Sequence, residues 1–329
     1  MRNVRDYAWP VVGFLAVVVS GWLLYHELAG LSLEAVWTSL TSIPAHRYLL
    51  AAASTLLAYA ALAWYDRIAL LHLGVRHISW LFVSLCLFTT YALSHNIGAS
   101  VFSGAMVRYR AYSTKGLGAA QVAVLVALCS FTFGLGTILL GGLVLTLDPE
   151  VLQRLEGRVP SALTNPTAAR VLGLALLGFV VLYVVGSILH FKPLYIRTFK
   201  IEYPRPEVML RQLVAAPMEI VGAAGIIYFA LPEVGNPGFL VVLAAFLASF
   251  SAALLSHAPG GLGVLELVFV AMMPDLSKAG LVAALLVFRL FYLLIPFLVS
   301  LVVVLLFERS RLSQAWSERP VVPSAGGAE

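Results

Sequence analysis

The chain has 329 residues, 61% of them hydrophobic and only 11% charged, with a formal net charge of +5. Soluble domains carry about a quarter charged residues, so this composition, with its positive mean hydropathy, excludes a water-soluble domain. Any chemistry must take place in or at a membrane. Apolar runs of spanning length recur along the whole chain, which predicts an all-α polytopic membrane protein and not a β-barrel.

Taken in order, long apolar segments fall at about 9–29, 48–71, 80–97, 119–147, 170–191, 212–231, 238–257 and 279–307. Two shorter ones, at about 98–107 and 260–274, predict broken or re-entrant segments. Arg2 and Arg5 before the first run imitate a secretory leader, but the run is too long and lacks a small-residue cleavage site, so it reads as the first anchor. The longest connector, near Asp148 to Ala169, carries Pro160, Asn165 and Pro166 and is too short for a folded soluble domain. Residues 1–312 are therefore expected to form one transmembrane domain, with possible repeat halves at about 9–147 and 170–307, and 313–329 a flexible cytoplasmic tail. Cys86 and Cys129 lie in apolar runs without a CxxC pattern and read as small core residues. His26-Glu27 lacks the second histidine of a zinc-protease helix, and neither a Walker loop nor a nucleic-acid module is visible. No cofactor is expected.

Basic residues set the orientation. If the two short segments return across part of the bilayer, the cytoplasmic side holds Arg67, Arg76, Arg108, Arg110, Lys115, the cluster from Lys192 to Arg211, and both termini. The opposite side holds Arg47, Arg154, Arg158, Arg170 and Lys278. Without returning segments Arg108, Arg110 and Lys115 would lie outside, against the positive-inside rule. Both chain ends are thus expected in the cytoplasm of a bacterium, at its inner membrane.

The chain's most informative stretch is 254–266, LLSHAPGGLGVLE. An apolar run meets Ser256 and His257, is broken by Pro259, Gly260, Gly261 and Gly263, and resumes at once around Glu266. Proline removes a backbone donor and glycine destabilises helix. In hydrocarbon the freed peptide groups need partners, so such a break survives only inside protein or along a wet cavity. An acidic group there costs about 2.5–3.5 kcal/mol on insertion scales, which suits a site better than scaffolding. The same pattern stands 162 residues earlier, where Leu93, Ser94, His95 and Gly98 match Leu255, Ser256, His257 and Gly260, with Asn96 beside them. Such a duplication predicts inverted-topology repeats whose broken helices approach from opposite faces.

Several polar residues inside the apolar runs are candidate ligands. Glu219 shares a helix face with Ala215, Ala216, Gly222 and Ala223, small neighbours that allow close helix approach or a cavity wall. Two readings stand: an acid that meets a cationic headgroup or a proton, or a buried partner for an arginine. Arg289, Tyr292 and Pro296 recur at helical spacing on the last run, and Arg289 is expected to face the bundle interior, paired with Glu219 or Glu266 or gripping a phosphate. Asp66-Arg67 reads equally as an adjacent interfacial pair or as part of a site. Arg108-Tyr109-Arg110-Ala111-Tyr112 suits an anionic lipid phosphate, or ordinary positive-inside anchoring with belt tyrosines. His95 and His257 read as helix-end caps before proton carriers or metal ligands.

The strings ALSHNIGASVFSGAMVRYRAYS, LSHAPGGLGVLE and FRLFYLLIP resemble the transmembrane flippase region of the lysyl-phosphatidylglycerol synthase family, the multiple peptide resistance factors. The resemblance covers about residues 50 to 307, and stand-alone homologues form a flippase-like group. It implies movement of an aminoacylated phosphatidylglycerol between leaflets, which in the family opposes antimicrobial peptides. It carries site roles onto Asp66, Arg108, Arg110, Glu219, Gly260, Gly261, Gly263, Glu266 and Arg289. The family's aminoacyl-transferase domain has no counterpart here, so lysyl transfer is not expected of this chain, and another lipid or a polyprenyl carrier is an open substrate. The leading expectation is a lipid flippase that binds membrane lipids and no nucleic acid, with room for a separate lipid synthase or a homodimer as partner. The rivals are an intramembrane lipid-modifying transferase and a membrane subunit serving a separate synthase or glycosyltransferase.

Overall fold

A computed structural model of the chain describes residues 32–97, 100–191, 194–196, 199–201, 203–256 and 261–317, with Trp22. Side chains at 95–97, 100–103, 162–163, 194–201 and 307–317 fall outside the description. The first anchor expected at 9–29 therefore lies outside the described residues, Trp22 apart.

The described chain is almost entirely helical. Helix α1 spans Leu33–Ser42, α2 Ala45–His72, α3 Trp80–Ile97, α4 Ser100–Ser113 and α5 Ala119–Leu147. A 3₁₀ segment, Pro149–Leu155, and the single-turn α6, Ser161–Thr164, lead into α7, Pro166–Ile188. A two-stranded antiparallel hairpin, Leu194–Ile196 with Phe199–Ile201, then precedes α8, Pro206–Ala230. The chain continues through α9, Phe239–Ser256, α10, Val264–Met272, and α11, Lys278–Phe288. A π-helical turn at Arg289–Leu294 joins α11 to α12, Ile295–Ser317. Six helical stretches, α2, α5, α7, α8, α9 and Lys278–Leu306, are long and apolar enough to cross a membrane, and Trp80–Ser94 is a shorter apolar one. The chain is an all-α polytopic membrane protein, with two short helices, α4 and α10, each following a longer one.

Two features depart from the expected layout. The amphipathic α1 was not foreseen, although Ser32 caps it by accepting from the Ala35 N–H at 3.1 Å, and Leu33, Val36, Trp37 and Leu40 repeat at helical spacing. Helix α12 runs on to Ser317, into the stretch 313–329 expected as the tail.

The bundle is organised around α2 and α8, whose backbones nearly touch. A Cβ on Gly222 would stand 2.8 Å from the Ala58 nitrogen and 2.9 Å from the Ser54 oxygen. Only a residue without a side chain fits there, as in small-residue packing of membrane helices. On the other side of α8, Gly136 of α5 admits Ala216, whose Cβ would be 2.7 Å from a Cβ at 136. In turn α5 meets α7 where Gly142 and Gly173 face each other. The outer sides of α7 and α12 expose Val171, Leu174, Val181, Leu298 and Leu305, the surface expected against lipid.

The two short helices return toward opposite ends of the bundle. After α4, the Lys115 carbonyl lies 3.2 Å from His77 Nε2, in the turn that follows the C-terminus of α2. After α10, Asp275 pairs with Arg154 at 3.0 Å, and Ser277 and Gly280 line a polar pocket with Pro44 and Arg47, at the N-terminus of α2. Helix α2 has 28 residues, about 42 Å at 1.5 Å per residue. The short helices therefore approach from faces a full bilayer apart. Shifting the chain by 162 residues lays α2 to α5 over α8, α9, α10 and the α11–α12 rod in the same order.

Replacing Gly222 by leucine must separate α2 from α8. We expect a loss of about 1–3 kcal/mol of stability, read as a lower melting temperature in detergent. Gly178→Leu, with nothing within 4 Å of its Cβ position, should melt like the parent.

Candidate functional site

The helices meet at a cavity of about 220 Å³. Leu62 comes from α2, Tyr91 and Ser94 from α3, and Arg108 from α4. Val126, Cys129, Ser130 and Phe133 come from α5, Glu219 from α8, Phe250 and Leu254 from α9, and Tyr292 from the π turn. Both halves of the chain contribute.

On one wall Arg108 and Asp66 form a buried ion pair, 4% and 0% exposed. Arg108 donates from Nη2 to Asp66 Oδ1 at 2.8 Å, and from Nε to Oδ1 and Oδ2 at 3.1 and 3.2 Å. The Tyr112 hydroxyl donates to Oδ2 at 2.8 Å, and the Cys129 thiol lies 3.2 Å from Oδ1. The guanidinium lies over the Tyr91 ring, 5.1 Å from its centroid. This multiply bonded carboxylate satisfies the condition under which two charges survive burial together. It also fastens the short α4 to α2. The reading of Asp66-Arg67 as an adjacent pair is thereby corrected. Neighbouring residues on a helix point about 100° apart, so Asp66 faces inward while Arg67 donates to the Ile78 carbonyl at 2.9 Å and covers Trp80. Tyr112 is likewise no belt residue, being fully buried.

The second half holds a matching pair. Gly261 and Gly263 take positive φ, 64° and 78°, a backbone that glycine adopts without strain. The Gly263 N–H then donates to Glu266 Oε2 at 2.9 Å, closing the first turn of α10. The other oxygen of Glu266 accepts from Arg289, which settles the open pairing of that arginine. Glu266 thus starts the short helix and ties it to the α11–α12 rod in one step.

Glu219 lines the same cavity as Arg108 and is 3% exposed. The Tyr292 hydroxyl donates to its Oε1 at 2.7 Å, while Oε2 is buried without a hydrogen-bond partner. No described cation pairs with it, which sets aside the reading of Glu219 as an arginine's partner. Tyr292 is placed by a local defect. Pro296 lacks an N–H and its ring displaces the carbonyl four residues back, at Tyr292. The helix answers with the π turn, in which Ile295 N–H reaches Leu290, and the Tyr292 carbonyl accepts from Tyr59 at 3.0 Å.

Of the other candidates, Ser94 lines the cavity, and Ser256 closes α9 with a bond from its Oγ to the Ala253 carbonyl at 2.8 Å. Arg110 points away, into an apolar groove of about 610 Å³ between α3, α4 and α12, lined by Phe82, Leu85, Leu93, Val107, Val303 and Leu306. His257 and Gly260, and the side chains of His95 and Asn96, lie outside the described residues. Sequence reasoning missed Tyr91, Ser130 and the role of Cys129. A thiol in an apolar run carries no signal of the carboxylate it will meet across the bundle.

No known family profile matches the chain. It is 29% identical over 304 residues to the uncharacterised protein slr0712 of Synechocystis sp. (strain ATCC 27184 / PCC 6803 / Kazusa), covering 90% of each chain. It is also 29% identical over 298 residues to the inner membrane protein YbhN of Escherichia coli (strain K12), again over 90% of each. Both likenesses extend over nearly the whole length, and the second is to an inner membrane protein, in keeping with the membrane-spanning organisation.

Arg108→Ala leaves Asp66 buried without its cation. Breaking such a pair costs about 3–5 kcal/mol, so this variant should melt far below the parent. Asp66→Asn combined with Arg108→Gln, which removes both charges, should recover much of that loss.

Proposed function

We propose that the chain moves a lipid between the leaflets of a bacterial inner membrane, as the resemblance to the flippase region of the lysyl-phosphatidylglycerol synthases suggests. The observation that carries this reading is that α3 and α4 present two unlike surfaces. One side of this helical hairpin contributes Tyr91, Ser94 and Arg108 to the polar cavity. The other contributes Phe82, Leu85, Leu93 and Val107 to the long apolar groove. A lipid has the same division. Its head would enter the cavity, where Arg108 and Ser94 offer donors to a phosphate, while its chains would stay in the groove with Arg110 at its edge. A phosphate arriving at Arg108 would bond the guanidinium alongside Asp66, which keeps its cation. Inverted halves that rock about such a site are the general device of alternating access.

Positive residues support the orientation with α4 opening to the cytoplasm, since Arg67, Arg76, Arg110 and Lys115 gather at that end. At the other end two of the basic residues are offset, Arg154 by Asp275 and Arg47 by Glu233. The polar pocket there, about 390 Å³ and lined by Ser39, Ser42, Arg47, Glu233 and Ser277, would receive the headgroup as it leaves. An aminoacylated or plain phosphatidylglycerol fits this scheme, and so does a polyprenyl phosphate.

The test is a leaflet-specific assay on purified protein in phosphatidylglycerol vesicles, using a fluorescent phosphatidylglycerol quenched only from outside. Protein-containing vesicles should lose the protected half of the signal faster than empty ones, and Ser94→Phe, which fills the cavity, should abolish the difference. Equal rates with and without protein would remove the reading.

A further inference from the structure

Buried charge on the described residues is balanced with one exception. Among the described residues the buried charged side chains are Arg47, Asp66, Arg108 and Glu219. Asp66 has Arg108 and Arg47 has Glu233. Glu219 has a tyrosine. The glutamate lines the cavity; its Oε1 accepts from Tyr292, and its Oε2 is buried and without a partner.

Among the described residues, the groups around it are uncharged or already neutralised. Helix α2 brings Tyr59 and Tyr65, the first bonded to the Tyr292 carbonyl and the second to the Ala216 carbonyl. Helix α3 brings Tyr91 and α5 brings Cys129. From the described residues of α9, Phe250 and Leu254 line the cavity, and α4 presents Arg108 with its charge engaged by Asp66. A carboxylate without a cation in such surroundings is the state a buried acid avoids, and a neutral carboxyl group is the state it tolerates.

The geometry points to Glu219 as a proton carrier that couples lipid movement through this cavity to a proton gradient. The inference rests on the transport reading above. With the cavity closed the carboxyl holds a proton. With the cavity open to water the proton leaves from the carboxyl to water and the carboxylate is hydrated. A phosphate-bearing head cannot share so small a space with an unpaired carboxylate, because like charges repel strongly at low dielectric. An anionic head is therefore accepted only with Glu219 protonated, and one proton accompanies each head. The unbonded Oε2 is the atom that takes the proton, since Oε1 already accepts from Tyr292. The balanced pairs have no such freedom, because removing charge from either partner would leave the other bare.

The experiment uses the full chain in phosphatidylglycerol vesicles with an entrapped pH-sensitive dye and fluorescent phosphatidylglycerol. Acid on the side from which the lipid starts should raise its initial rate several-fold over equal pH, with proton movement seen by the dye. Glu219→Gln, close in shape and uncharged, should keep the parent's melting temperature but lose both the gradient response and the proton movement. Lipid movement by the parent that ignores the gradient and carries no protons would overturn the coupling and leave the transport reading standing. Lipid movement no faster than in empty vesicles would remove the transport reading and the coupling with it. A rate that rises only for a lysyl-bearing lipid, without proton movement, would make Glu219 a headgroup ligand and overturn the proposal. Should Glu219→Gln fail to fold, Tyr292→Phe takes its place: removing the donor to Oε1 should displace the pH profile of the rate, and an unchanged profile would count against the proposal.

Discussion

A bilayer gives charged groups no water to fall back on, and the structure is arranged around that constraint. Asp66 and Arg108 are both almost fully buried, so each is tolerable only while the other stays within bonding distance. Because one sits on a long helix and the other on a short one, their mutual need fixes where the short helix can lie. Tyr112, Cys129 and the Tyr91 ring complete the shell. An ion pair that would be worth little on a soluble surface here determines the architecture.

The second half solves the same problem with different residues. Glu266 belongs to the short helix and Arg289 to the long rod, whereas in the first half the arginine is on the short helix and the acid on the long one. The offset of 162 residues relates the element order of the halves and not these charges. What recurs is the physical device, a half-crossing helix held by one acid–arginine pair, and the two copies lean in from opposite faces. Glu219 has no such partner among the described residues and is held by a tyrosine that a proline-induced π turn aims at it. Among the described residues the other buried charges come in pairs, which makes this buried acid stand apart from the scaffold.

Much of this was legible in the sequence because membranes impose simple rules. Apolar length located the spans that the structure describes, and the glycine and proline punctuation after Ser94 and Ser256 marked both short helices. The small residues around Glu219 foretold the close approach of α8 to its neighbours, with Gly222 against α2 and Ala216 against Gly136 of α5. Partners across the bundle were not legible. Asp66 is adjacent to Arg67 in sequence, but helical geometry sends the two side chains apart, and the true partner lies 42 residues away. Arg289 had two candidate acids in the sequence, and the choice of Glu266 is set by packing across the bundle. Helix α1 escaped notice because its apolar stripe, though regular, is too short to resemble a span.

The account stands on the two short helices returning to opposite faces of the membrane. Single cysteines at positions 115 and 275, introduced one at a time in intact vesicles of known orientation and probed with an impermeant thiol reagent, test this most directly. Cys86 and Cys129 are buried and should contribute little background. The account predicts that Lys115→Cys is labelled from one side only and Asp275→Cys only from the other. Labelling of both from the same side would contradict it.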